Sequence, residues 1–152
     1  MIKVLFVCHG NICRSPMAEF IFKDLVKANG VAEQFLIASA ATSTEEIGHG
    51  VYPPAKAELA KHGISCAGKQ AVQLQKSDYA KYDLFVGMDN ANFRNMHRIF
   101  GGDPDGKVCK LMDFTNRKGE VADPWYTRAF DTAYRDIYDG CCALLTALED
   151  RI

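Results

Sequence analysis

The stretch Ile2 to Val7 (IKVLFV) is apolar apart from Lys3, stops at Cys8, and is followed at Ser15-Pro16 by a helix opening. A short, β-branched apolar run reads as a buried strand of a parallel sheet. Serine is a preferred N-cap and proline suits the first helical position, so Ser15-Pro16 is expected to begin the next element. Glu19 then falls in the first turn, where the helix dipole favours a carboxylate. Phe20, Ile21, Leu25 and Val26 keep a helical apolar spacing until Gly30 stops it. A buried strand running through one tight loop into an amphipathic helix commits the chain to a sheet covered by helices.

The remainder repeats that alternation. Residues 35–40 (FLIASA), 84–89 (LFVGMD) and 107–114 (KVCKLMDF) read as further strands. Helices are expected from Pro53-Pro54 through Leu59, stopped by Gly63; from Asn90 to Phe100; and from Phe130 to Glu149. GGDPDG at 101–106 is a loop by composition, and a long loop carries Asp123-Pro124-Trp125-Tyr126. Strands alternating with helices imply a doubly wound α/β sheet, in which ligands sit beyond the carboxyl ends of the strands. With 152 residues and no linker or repeat, residues 1–152 are expected to form a single domain.

Composition removes several function classes. Hydrophobic residues make 48% and charged residues 24%, which excludes a disordered or fibrous chain. A formal charge of −1 offers neither a nucleic-acid nor a membrane surface. No apolar run approaches the ~20 residues of a membrane span, and no cleavage site follows the first strand. A cytoplasmic location is expected, where the six cysteines stay reduced. No pair of them has zinc-finger spacing, and neither a metal nor another cofactor is implied.

Attention falls on the loop after the first strand, Cys8-His9-Gly10-Asn11-Ile12-Cys13-Arg14-Ser15-Pro16. The Cys8–Arg14 spacing alone is weak: six cysteines and seven arginines give about 0.3 chance matches per chain. Context strengthens it. A strand-to-helix turn can gather its backbone N–H groups into an anion-binding nest, and the helix N-terminus adds unpaired donors. Gly10 and Asn11 tolerate the left-handed backbone a concave loop requires. A cradle for an oxyanion also stabilises a thiolate; a free cysteine titrates near ~8.5, and such surroundings lower that. Cys8 is thus expected to be an ionised nucleophile, Arg14 to grip two phosphate oxygens through its planar fork, and Ser15 to donate to the sulfur while capping the helix. Taken singly, Cys8 is an ordinary buried thiol, Ser15-Pro16 a helix start and Asn11 a turn residue; it is their register with Arg14 and Gly10 that favours chemistry. Ile12 belongs to the same cradle, His9 reads as a rim side chain, and Cys13 either packs or acts as a redox partner of Cys8.

Transfer of a phosphoryl group from an ester needs a proton for the leaving oxygen. Asp123 is the best candidate acid: Pro124 stiffens its turn, and Trp125 and Tyr126 are expected to form an apolar wall whose burial would raise a carboxyl pKa. Asp89, at the end of the third strand, is the runner-up acid or a supporting partner. Cys141-Cys142 read as packing residues, since adjacent helix positions point apart.

With these residues in place, the sequence resembles the low-molecular-weight protein tyrosine phosphatases of bacterial type. VCHGNICRSPMAE (7–19), SAATSTEEIG (39–48), HGISCAGKQA (62–71), GMDNAN (87–92) and DPWY (123–126) all look like motifs of that family, in family order. The resemblance implies a four-stranded parallel sheet with helices on both faces and no cofactor. It implies Cys8 as the nucleophile that becomes phosphocysteine, Arg14 as the phosphate clamp and Asp123 as acid and then base. Asn11 and Ser15 would hold the loop, Ser39 would support Asn11, Trp125 and Tyr126 would wall the cleft, and Cys13 would trap Cys8 in a reversible disulfide. Departures are also visible. Glu45 stands where some members have an aromatic cleft wall, His9 where eukaryotic members are usually apolar, and a histidine that some members have near Gly68 is absent.

The reading is therefore a phosphotyrosine phosphatase, monomeric, acting on phosphotyrosine-containing proteins such as a bacterial tyrosine kinase. A thiol-dependent arsenate reductase is disfavoured because residues 67–108 contain no cysteine for a disulfide relay. A phosphoarginine phosphatase is disfavoured because relatives with that preference look to have Thr where Ile12 crowds the pocket here.

Overall fold

Alternation along the first strand decides the layering. In the computed structural model, which describes Met1–Ile152, β1 runs Ile2–Cys8. Ile2, Val4, Phe6 and Cys8 face one apolar cluster, and Leu5 and Val7 face another on the opposite side of the sheet. Cys8 therefore leaves the strand on the side of the larger cluster.

β2 (Phe35–Ala41), β3 (Leu84–Gly87) and β4 (Val108–Lys110) complete a four-stranded sheet in the order β2-β1-β3-β4. All pairs are parallel, with Cys8 opposite Ala41 and Val7 opposite Gly87. The helices are α1 (Arg14–Ala28), α2 (Pro53–Lys61), α3 (Asn90–Phe100), the one-turn α4 (Pro124–Thr127) and α5 (Phe130–Leu148). Met17, Ile21, Phe22 and Val26 of α1 and Ile137, Cys141 and Leu144 of α5 build the larger cluster, while Met96 and Phe100 of α3 build the smaller. β1 has β2 on one side and β3 on the other, so the chain reverses its winding there. The carboxyl end of β1 is the topological switch point, where such sheets bind ligands.

The doubly wound class and the helix limits near Gly30, Gly63 and Phe100 agree with the sequence reading; Gly30, Gly63 and Gly101 all adopt left-handed backbone. Four local expectations are corrected. α1 starts at Arg14 with Cys13 as its N-cap, and no side chain caps it, so Ser15 is not the cap. Glu19 lies beyond the first turn and is buried rather than facing solvent at the dipole. β3 ends at Gly87, because the Met88 N–H turns to Asn92 Oδ1 and Asp89 accepts the Asn92 N–H as the cap of α3. β4 stops at Lys110: Leu111–Phe114 curl into a 3-10 turn whose Asp113 carboxylate takes the Lys110 N–H. In that last case apolar content alone does not separate a strand from a buried turn. The turn α4, absent from the sequence reading, is described below. Cys141 is fully packed on α1, and Cys142 is half-buried beside it. No helix is long and apolar enough to cross a membrane.

Gly140 of α5 packs directly against the 3-10 turn that follows β4. A Cβ there would stand 2.5 Å from Cγ of the fully buried Leu111, a branch point that has nowhere to move. Gly140→Ala is expected to destabilise the fold by about 1–3 kcal/mol through overpacking, despite alanine's better helix propensity. Denaturant unfolding with an unchanged slope and a lower midpoint is the expected result.

Candidate active site

At the end of β1, three donors converge on one sulfur. The N–H groups of Asn11 and Ser15 point at Cys8 Sγ from 3.3 and 3.4 Å, and Ser15 Oγ lies 2.9 Å away. The Ser15 hydroxyl already accepts from Asn11 Nδ2 at 2.7 Å, so its single proton is free for the sulfur. The N–H groups of Ile12, Cys13 and Arg14 have no acceptor in the protein, as expected of a first helical turn. They form, with the dipole of α1, the donor set of an anion cradle. The turn requires left-handed backbone at Asn11 (φ 58°), as expected, but not at Gly10. A Cβ at Gly10 would lie 3.4 Å from Glu46 Cγ, an ordinary contact, so the fold does not demand glycine there.

Asn11, buried, ties the loop to its surroundings through every polar atom of its side chain. Nδ2 also donates to Ser39 Oγ at 2.9 Å, and Oδ1 accepts the Val72 N–H at 3.1 Å. Ser39 in turn donates to Glu19, 2.5 Å away. Glu19 is a buried carboxylate held by Lys23 at 2.6 Å and Lys69 at 3.6 Å. Burial lowers the Lys69 ammonium below its usual range, and Glu19 opposes that without cancelling it. The sequence reading gives Glu19 only a helix-dipole role and does not single out Lys69, so neither is placed at the site. The signal for Glu19 was its place four residues after Ser15, on the helix face turned to the loop; for Lys69 nothing local points to the site.

Arg14 is 3% exposed and is held from two other segments. Its Nη1 donates to Asp89 Oδ2 at 2.8 Å and to the Val121 carbonyl at 2.9 Å, and Nη2 stands 3.5 Å from Asp123 Oδ2. Burial alone would lower its pKa, but the charge of Cys8, the Asp89 hydrogen bond and the charge of Asp123 together hold it above the ordinary value. Asp89 spends its other oxygen capping α3 and lies outside the cavity lining, a supporting rather than an acid position. Asp123 caps α4 by accepting the Trp125 N–H at 3.0 Å. The expected aromatic burial of this carboxylate is not found. Asp123 is 28% exposed, Trp125 44% and Tyr126 81%, because the aromatics stand as an open wall instead of closing over it.

One cavity of about 190 Å³ gathers Cys8, His9, Gly10, Ile12, Cys13, Arg14, Asp123, Trp125 and Tyr126 with Glu45 and Glu46. It is smaller than the ~300–1,000 Å³ of a drug-sized site, so it suits a small group. Asn11, Ser15 and Ser39 lie behind it, shaping the loop. Opposite the aromatic wall, His9 Nε2 pairs with Glu45 at 3.0 Å and His49 with Glu46 at 2.6 Å, which gives the rim an acidic side. Glu46 is a further lining residue that sequence reasoning missed; its neighbour Glu45 was the available signal. No three His, Cys, Asp or Glu side chains converge as a metal set would.

Comparison with known proteins follows the geometry. The family described as "Low molecular weight phosphotyrosine protein phosphatase" matches residues 3–151. The Bacillus subtilis low molecular weight protein-tyrosine-phosphatase YfkJ is 34% identical over 98% of this chain and 97% of its own. Its crystal structure superposes with a TM-score of 0.95 over 99% of this chain and 96% of that one. The human low molecular weight phosphotyrosine protein phosphatase is 36% identical over 94% of this chain and 93% of its own. A Drosophila arginine phosphatase structure, 26% identical, reaches a TM-score of 0.89 over 97% of this chain and 98% of that one.

Burial, then the charges of Cys8 and Asp123, push the Cys13 thiol up to about 12. Cys13 is therefore a neutral thiol throughout the physiological range and for several pH units above it. Brief treatment with iodoacetamide at pH 7, followed by peptide mapping, is expected to label Cys8 and leave Cys13 unmodified, although both line the cavity. Equal labelling of the two would contradict the arrangement.

Proposed function

The chain belongs to the low molecular weight phosphotyrosine protein phosphatase family, and on that premise we propose that it hydrolyses phosphotyrosine monoesters through a phosphocysteine on Cys8. The observation that carries this reading is the convergence of three donors on the Cys8 sulfur, beside a buried Arg14 that reaches Asp123.

The steps follow from the side chains. The amides of residues 12–14 and the Arg14 guanidinium hold the phosphoryl oxygens, and the fork of Arg14 is fixed in advance by Asp89 and the Val121 carbonyl. The Cys8 thiolate forms an S–P bond as the P–O bond to the tyrosyl oxygen breaks, and protonated Asp123 gives that oxygen its proton. Asp123, now a carboxylate, takes a proton from water as the water oxygen attacks phosphorus. The S–P bond breaks, the thiolate is restored and inorganic phosphate leaves. Ser15 and Asn11 stabilise the thiolate as entering and leaving group, and Ser39 keeps Asn11 in register. Trp125 and Tyr126 flank the aryl ring, while Ile12 gives the cavity an apolar surface on the phosphate side.

Residues 1–152 act as one domain, a cytoplasmic monomer without cofactor or metal, whose partners are phosphotyrosine-containing proteins such as a bacterial tyrosine kinase. Under peroxide, Cys8 and Cys13 give up two protons and two electrons to form a disulfide, the peroxide being reduced to water. A thiol reductant reverses the change.

Steady-state kinetics on p-nitrophenyl phosphate test the roles. Cys8→Ser is expected to abolish turnover. Asp123→Asn is expected to lower it by about 10²–10⁴, the usual contribution of a positioned acid, while inorganic phosphate still inhibits. Arg14→Lys is expected to weaken phosphate inhibition, because an ammonium cannot reproduce the fork. Full activity of Cys8→Ser would end the proposal, and faster turnover of phosphoarginine than of phosphotyrosine would reassign the substrate.

A further inference from the structure

One residue outside the cavity lining touches both halves of the site, the phosphate loop through its backbone and the acid-bearing turn through its side chain. We propose that Tyr52 is a positioning residue that holds the acid-bearing turn α4 against the phosphate loop. The proposal rests on the acid role given to Asp123 above.

The backbone of Tyr52 is pinned to the loop: its N–H donates to the Ile12 carbonyl at 2.8 Å. Its ring lies 4.8 Å from that of Trp125 and 5.9 Å from that of Phe130, a buried residue at the start of α5. Its hydroxyl accepts from Arg128 Nη2 at 3.1 Å, and the Arg128 guanidinium stands 5.3 Å from the centres of both the Tyr52 and Phe130 rings. Trp125 lies within α4 and Arg128 is its C-cap. Trp125 gives its N–H to Asp123 Oδ1, and Arg128 closes the turn in left-handed backbone (φ 59°), its N–H on the Pro124 carbonyl. One tyrosine thus grips the residue that orients the Asp123 carboxylate and the residue that ends its helix.

The need for such a grip is physical. α4 has four residues, far below the length at which a helix holds itself. Trp125, Tyr126, Thr127 and Arg128 are all exposed, so few other contacts fix the turn. Proton transfer needs the acid within ~2.6–3.2 Å of the leaving oxygen, and a misplacement of about 1 Å can cost ~10² in rate. Without the Tyr52 ring, Trp125 loses its base and Asp123 loses its fixed orientation, while the sulfur, the amides and Arg14 keep theirs.

That separation gives the test. Transfer to a poor leaving group depends on the acid more than transfer to a good one. We therefore compare kcat/KM for phenyl phosphate and 4-nitrophenyl phosphate in the wild type, Tyr52→Leu, Tyr52→Phe, Asp123→Asn and the double variant Tyr52→Leu/Asp123→Asn. Tyr52→Leu is expected to lower phenyl phosphate about ten-fold and 4-nitrophenyl phosphate only about two-fold, a fraction of the ~10²–10⁴ an acid supplies. Tyr52→Phe, which keeps the ring and loses the Arg128 contact, moves the same way by about two-fold on phenyl phosphate. In the Asp123→Asn background, Tyr52→Leu is expected to widen the gap between substrates no further, as coupled residues require. Loss of folded protein scales both substrates equally and cannot imitate the effect. If Tyr52→Leu fails to fold, Arg128→Met carries the test, with a smaller widening expected. Equal loss on both substrates, or undiminished widening in the double variant, would overturn the Tyr52 assignment. An unwidened gap in Asp123→Asn itself would instead overturn the acid role, and this inference with it.

Discussion

The Cys8 sulfur, buried at the end of a strand with donors converging on it, is the constraint to which the rest of the molecule answers. Burying a charge is costly unless donors converge on it. Here two amides and a hydroxyl converge on the sulfur, and the hydroxyl and one of the amides depend on Asn11. Its left-handed backbone turns its own amide toward the sulfur, and its side chain polarises the Ser15 hydroxyl that bonds the sulfur. Asn11 is in turn fixed by Ser39 and the Val72 amide. Behind these lies the Glu19–Lys69 pair, whose burial is tolerable because each partner has further hydrogen bonds: Glu19 from Ser39 and Lys23, Lys69 to the Ser39 carbonyl. The cradle is thus braced from α1, β2 and the segment after α2 at once.

Topology makes that bracing possible. Two-residue parity along β1 sends Cys8 toward α1, whose first turn supplies the donors. The strand order places β2 and β3 on either side, so Ser39 approaches the loop from one flank and Asp89 from the other. Arg14 is the point where the flanks meet. Its guanidinium joins the loop to the end of β3 and, through Val121 and Asp123, to the last long connection. A fixed guanidinium loses little freedom when it takes up a phosphate, which is what preorganised electrostatic stabilisation requires.

How much of this was legible in the sequence follows from how local each feature is. The cradle could be read because its parts lie within residues 8–15, between a strand and a helix that announce themselves by periodicity. Even there the role of Ser15 was half wrong: its hydroxyl serves the sulfur and leaves the helix uncapped, a choice decided by Asn11 in space rather than by capping propensity. Asp123 was found because the chemistry demands an acid, not because DPWY stands out. Its surroundings were misjudged, since exposure of Trp125 and Tyr126 depends on tertiary packing that composition does not encode. Lys69 and Tyr52 come from distant segments that no local pattern ties to the site, and Glu46 is marked only by its neighbour Glu45. β4 was overextended because an apolar 3-10 turn and a strand share the same residues.

The last step concerns where selectivity arises. The floor of the cavity is a generic receptor for a dianion: amides, a helix N-terminus and one guanidinium carry no information about what the phosphate is attached to. Its small volume and aromatic wall add a preference for one flat ring. The same cavity is lined by Glu45 and Glu46 as well as by Trp125 and Tyr126. The chain as a whole carries a formal charge of −1 and so steers little from afar. Carboxylates lining the cavity act within the ~8–10 Å over which charge persists in physiological salt. An acidic flank meets repulsion there and a basic flank does not. Histidines at positions 9 and 49 hydrogen-bond these carboxylates and so fix the direction in which that repulsion points. On the proposed function, discrimination among phosphoproteins falls to the rim, with Glu45 and Glu46, and not to the cradle, whose amides and guanidinium meet only the phosphate.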